Sequence, residues 1–153
     1  MRVSDVMSTQ VLAVAPDTTI GDAAQRMVET DVGAALVVAA DGEMVGVITE
    51  RDLLRCVSDG TERSTPVSER MTRHVLTASS TTEVAQALAL MVDGRFRHLP
   101  VVSDDGRPIG VVSMRDLMAY TSLRLRHGGF GDDDDLDPAE LIATIHRMRT
   151  GAA

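Results

Sequence analysis

Shifted by 64 positions, the 153-residue chain aligns with itself: Val3–Arg55 falls on Val67–Ala119 without a gap, and 18 of the 53 pairs are identical. The identities include Met7/Met71, Met27/Met91, Gly46/Gly110, Arg51/Arg115 and Asp52/Asp116. A repeat of this length is a duplicated supersecondary unit, each copy supplying half of a core. The chain must therefore fold as two equivalent halves, and every element expected in one is expected in the other.

The two copies carry the same patterns in the same order. VLAVAP (11–16) and VLTASS (75–80) read as short extended segments leading into a cap, and Thr19 with Asp22, and Ser80 with Glu83, have capping-box spacing. An apolar stripe at helical spacing follows, Ile20, Ala23, Ala24, Met27 and Val28 in one copy and Val84, Ala87, Leu88, Met91 and Val92 in the other. Next come strand-length runs, ALVVA (35–39) and LPVVS (99–103), then Asp-Gly turns at 41–42 and 105–106, then MVGVIT (44–49) and PIGVVS (108–113). A second helix starts near Glu50 and near Met114, the latter running through Leu123 and Leu125 to Gly128 and Gly129. The expected division is 1–58 for the first repeat, 59–66 for a linker, 67–127 for the second repeat and 128–137 for an acidic linker. A C-terminal helix and tail at 138–153 carry Leu141, Ile142, Ile145 and Met148 on one face. The fold class is mixed α/β of the α+β kind, with small sheets packed against helices.

Composition narrows the function. Apolar residues make up 44% of the chain and aromatics 2%, so the core must be built from Val, Leu, Ile, Ala and Met. No apolar run approaches the roughly 20 residues needed to span a bilayer, and MRVSDVMSTQ lacks the hydrophobic stretch of a signal peptide. Cys56 is the single cysteine and cannot form an internal disulfide, which suits a reducing cytoplasm. The net charge of −8 argues against nucleic acid as a partner, because phosphate backbones need a basic face. The run Asp132–Asp135 lacks the alternating acidic spacing of a calcium loop and reads as a solvated linker. The histidines show no metal-ligand spacing with one another or with Cys56, and no G-x-S-x-G elbow accompanies the serines, so no catalytic constellation is evident.

The chemistry concentrates in a repeated phrase. GVITERDL at 46–53 and GVVSMRDL at 110–117 each place a hydroxyl, then an aspartate three residues on, where a strand gives way to a helix. Taken alone, each is a capping box that satisfies amides at a helix N-terminus. Helix N-termini also attract phosphate, the hydroxyl of Thr49 or Ser113 can bond a phosphate oxygen, and Asp52 or Asp116 offers acceptors suited to ribose hydroxyls. Ile48 and Val112 stand beside the phrase as candidates to flank an adenine ring. One such cap is unremarkable; two in equivalent places point to a pair of nucleotide sites.

This doubled G-h-h-[ST]-x-x-D phrase, within strand–helix–strand–strand–helix repeats over about Met1–Arg126, resembles a pair of cystathionine-β-synthase-type (CBS) domains, the Bateman module. The resemblance implies a regulatory module without catalysis of its own, binding AMP, ADP or ATP, or else S-adenosylmethionine or NAD, in clefts between the repeats. It implies Thr49 and Ser113 at phosphate, Asp52 and Asp116 at ribose, and a homodimer that passes its signal to a separate effector protein. RFRHLPVV (95–102) is similar to the family's basic segment, which adds Arg97 and His98 as phosphate ligands, and Thr77 as a contact to base or ribose. The first copy departs there, with Gly33 and Ala34 in place of Arg97 and His98. No obligatory cofactor is implied. The competing expectation is a structural or interaction module whose caps are only caps.

Overall fold

Asp-Gly turns organise the strands. In the computed structural model, which describes residues 1–126 and Ala143, Gly42 and Gly106 take φ of +90° and +78°, a region that disfavours any side chain. They connect β2 (Ala34–Val38) to β3 (Met44–Thr49) and β4 (His98–Val102) to β5 (Pro108–Ser113). Before each hairpin lies a helix, α1 (Ile20–Glu29) or α3 (Val84–Gly94), and after it another, α2 (Glu50–Ser58) or α4 (Met114–Arg126). A two-residue strand β1 (Ala13–Val14) precedes α1. The described residues thus form a mixed α+β fold of four helices and two small sheets.

The helical stripes face the cores, with one consistent exception. Ile20, Ala23 and Met27 are buried, as are Val84, Ala87 and Met91. Val28 and Val92 were expected on the same faces but are 81% and 59% exposed. At i+8 each lies about 80° round from the first residue of its stripe, at the edge of the buried arc. The caps also differ between copies. The Thr19 hydroxyl accepts from the Asp22 amide at 3.1 Å, whereas the expected Ser80–Glu83 box is not formed. Glu83 itself occupies the N-cap position without a side-chain cap bond. The Val84 amide donates to the Met1 carbonyl instead, at 3.1 Å. Glu83, not Ser80, is the repeat equivalent of Thr19.

A single imino acid explains why the sheets differ in size. β1 pairs parallel with β2, with the Leu36 amide donating to the Leu12 carbonyl at 2.8 Å, and β2 pairs antiparallel with β3. The repeat equivalent of Leu36 is Pro100, which has no amide hydrogen to donate. Among the described residues, the segment leading into α3 therefore keeps one bridge, Ala78 to Val101, and its sheet consists of β4 and β5.

The compact units are not the contiguous repeats. One comprises Gln10–Thr77 with Val102–Ile109; the other comprises, among the described residues, Met1–Thr9, Ala78–Val101 and the chain from Gly110 through α4. In each, the opening segment of one copy completes the core of the other. Val3 and Val6 join Val84, Met91, Leu99, Val112, Leu117 and Leu123, while Val67 and Met71 join Ile20, Met27, Val37 and Ile48. Backbone bonds follow the same crossing. Ser8 exchanges two with Val111, both 2.9 Å, and Thr72 exchanges two with Val47 at 2.9 and 3.0 Å. The identities Met7/Met71 and Gly46/Gly110 find their reason here. A Cβ on Gly110 would sit 2.6 Å from Met7 Sδ, and one on Gly46 would sit 2.6 Å from Met71 Sδ. The expected acidic linker and C-terminal helix, 128–153, lie outside the described residues, Ala143 apart.

Candidate functional site

The two phrases fold as reciprocal caps at the β3–α2 and β5–α4 junctions. The Thr49 amide donates to Asp52 Oδ2 at 2.9 Å, the Thr49 hydroxyl donates to the same oxygen at 2.7 Å, and the Asp52 amide returns a bond to Thr49 Oγ1 at 3.3 Å. In the other unit the same three bonds link Ser113 and Asp116, at 2.9, 2.8 and 3.2 Å. Each aspartate is drawn inside by these bonds, to 8% exposure for Asp52 and 2% for Asp116. Such burial of a carboxylate is tolerated only when its oxygens are well partnered. Arg55 Nη1 also approaches Asp52 Oδ1 at 3.4 Å, a contact the second copy cannot repeat because Ala119 stands at that position.

A further partner was not legible in local spacing. The Glu50 amide donates to the Gly33 carbonyl at 3.1 Å, and the Met114 amide to the Arg97 carbonyl at 2.8 Å. With the third amide of each helix held by the hydroxyl, the second, on Arg51 or Arg115, is the first-turn donor left to a ligand among the described residues. The helix N-termini are thus largely satisfied by the protein itself, and both hydroxyls spend their hydrogen on an aspartate.

The basic residues that the resemblance implied at phosphate stand in one unit. The Arg97–Met114 bond puts Arg97, exposed, and His98, half-buried at the start of β4, beside the N-terminus of α4. Gly33 and Ala34 hold the corresponding place beside α2. Thr77 is exposed and ends the stretch Gln10–Thr77 of the unit that contains Thr49 and Asp52. Ile48 and Val112 are wholly buried in the cores of their own units. Both side chains point inward from the strand, so neither presents a surface to an adenine ring in this structure. Among the described residues no group of three or more His, Cys, Asp or Glu is placed to hold a metal ion, and no helix is long and apolar enough to cross a membrane.

The CBS domain family matches residues 3–59 and again 67–122. The chain is 38% identical over 116 residues to the CBS domain-containing protein YhcV of Bacillus subtilis, covering 75% of this chain and 81% of that one. Other relatives are longer, and the match spans 61% of a Methanopyrus kandleri protein and 23% of an inosine-5'-monophosphate dehydrogenase from Methanocaldococcus jannaschii. Among solved structures, the CBS domain protein PAE2072 from Pyrobaculum aerophilum complexed with AMP superposes with a TM-score of 0.72 at 29% identity, covering 76% of this chain and 89% of that one. The CBS domain pair of protein MJ0100, in complex with 5'-methylthioadenosine and S-adenosyl-L-methionine, gives a TM-score of 0.74 at 25% identity, covering 78% of this chain and 98% of that one. With the family matching both repeats, the chain belongs to the CBS domain family, as two copies in tandem.

Proposed function

We propose that the chain is a non-catalytic regulatory module that binds adenosine-containing ligands at its two capped junctions and signals to a separate protein. The observation that carries this reading is the duplicated hydroxyl–aspartate cap, buried at equivalent places in a family whose solved members include complexes with AMP. Asp52 and Asp116 would accept hydrogen bonds from ribose hydroxyls. Thr49 and Ser113, on turning their hydroxyls away from aspartate, would reach phosphate, joined in the second copy by Arg97 and His98. Thr77 would touch base or ribose. AMP, ADP and ATP are the ligands first in line, with S-adenosylmethionine and NAD as alternatives.

Two copies of the chain are expected to associate, because α2 leaves Leu54 and Val57 at 69% and 78% exposure and α4 leaves Met118 and Leu125 at 62% and 64%. The signal would be a ligand-dependent choice between arrangements, which requires different affinity for each. Thermal denaturation and calorimetry with AMP, ADP, ATP, S-adenosylmethionine and NAD test the reading, with sedimentation giving the oligomeric state. Saturable stabilisation that follows affinity, as linkage demands, is the expected result. Indifference to all five ligands would leave the caps as purely structural features.

A further inference from the structure

The two oxygens of Asp52 serve different partners. Oδ2 accepts from the Thr49 amide and the Thr49 hydroxyl, at 2.9 and 2.7 Å, and builds the cap. Oδ1 takes no part in the cap and faces the Arg55 guanidinium, with Nη1 at 3.4 Å. The spacing is i, i+3, so one turn of α2 delivers the guanidinium to the carboxylate. The two side chains sit in unlike surroundings, Asp52 being 10% exposed and Arg55 68%. The buried partner is fixed by the cap, whereas the exposed one is held by a single long contact that it can give up. At the second junction the cap has the same bonds, but Ala119 stands at the position of Arg55, and its side chain ends at Cβ.

We infer that Arg55 gates the first site: it competes with the ligand's ribose for Asp52 Oδ1 and turns away when the ligand binds. This rests on the proposal that Asp52 receives a ribose. Because Oδ2 already accepts two bonds, Oδ1 is the acceptor that a ribose hydroxyl engages. The guanidinium stands against that oxygen, so the hydroxyl displaces a charged donor. A charge-assisted bond is exchanged for a neutral one. The loss is small, because the arginine end of the pair is largely in solvent, and salt screens it further. The first site therefore binds a ribose more weakly than its cap alone would, and the handicap shrinks as ionic strength rises. The second site lacks this arginine. Arg55 acts through Asp52 and is a positioning residue, touching the acceptor and not the ligand.

Titration of the full chain with adenosine, followed by the amide NMR signals of Thr49 and Ser113, reads the two sites separately, because each amide donates to the aspartate of its own site. Adenosine is uncharged, so ionic strength acts on the protein's pair and not on the ligand's charge. Arg55→Gln keeps most of the stem and removes the charge. It is expected to tighten adenosine at the Thr49 signal by about two- to fivefold, the range of an exposed ion pair, and to leave the Ser113 signal unchanged. Raising sodium chloride from about 0.05 M to about 0.5 M should tighten binding at Thr49 relative to Ser113 in the wild-type chain and in Arg55→Lys, which keeps the charge, but not in Arg55→Gln. The amide spectrum of each variant shows whether the fold is intact. Weaker or unchanged binding at Thr49 in folded Arg55→Gln, an equal change at both signals, a salt response that survives removal of the charge, or one that Arg55→Lys loses would each overturn the gate while leaving adenosine binding intact. Adenosine that moves neither signal in the folded wild-type chain would overturn the adenosine reading itself.

Discussion

The β3–α2 and β5–α4 junctions are alike in the bonds that hold the fold and unlike in the side chains around them. Their cap bonds agree to within 0.1 Å, pair by pair, and each leading amide finds a carbonyl 17 residues upstream. What differs is carried by side chains that the cap does not use: Gly33 against Arg97, Ala34 against His98, Glu50 against Met114. The shared geometry lies in backbone and cap bonds, and the differing charges lie on side chains outside those bonds.

The sharpest test of the shared scaffold is its pair of contact glycines. Gly46→Ala and Gly110→Ala each force a Cβ against a methionine sulfur and also against a backbone carbonyl, Thr72 O at 2.9 Å or Ser8 O at 3.0 Å. The sulfur can swing aside; the carbonyl belongs to a paired bridge and cannot. Each variant should lose about 1–3 kcal/mol by urea denaturation, and a cost confined to one repeat would break the equivalence of the crossings.

The caps come next in size. Asp52→Ala and Asp116→Ala should each cost about 0.5–2 kcal/mol, with Asp116 at the upper end, since its removal leaves the Ser113 amide and hydroxyl without the acceptor they share at the more buried of the two sites. Equal losses in the same denaturation assay would mean that burial does not separate them.

The smallest effect concerns the hairpin turns. The Ser103 hydroxyl donates to Asp105 Oδ1, and Arg107 Nε lies 2.9 Å from Oδ2; the first copy has Ala39 and Glu43 at those positions. The Ser103 bond, with the Arg107 guanidinium behind it, holds the Asp105 carboxyl below the usual carboxylate range. A carboxyl depressed in the folded state contributes stability above its unfolded pKa and loses it as pH falls through the folded one. Asp105 is fully exposed to solvent, so the consequence is looked for in its own titration. By NMR, the Asp105 midpoint should rise in Ser103→Ala, and an unchanged midpoint would remove the hydroxyl as the cause.

Much of this was legible before any fold was known. Strand, turn and helix positions follow from local periodicity, and the starts of α2 and α4 fall where the hydroxyl–aspartate phrase places them. Local pattern failed where a position answered to distant chain. Ser80–Glu83 has the spacing of a box, yet the start of α3 is met by the carbonyl of Met1. Ile48 and Val112 sit beside the phrase in sequence, yet strand alternation turns them into the cores. Pro100 was visible in LPVVS, but its consequence, a sheet short of one strand, depended on knowing that Leu36 bonds Leu12 in the other copy.

The sequence by itself determined the duplicated unit, the order of its elements and the two capped junctions, because side-chain period, turn chemistry and capping act over a few residues. Only the tertiary structure decided that each copy's opening segment completes the other's core, and that the carbonyls of Gly33 and Arg97 occupy the leading helix amides. Those choices are made by hydrogen bonds and packing between residues remote in the chain, which no short-range spacing records.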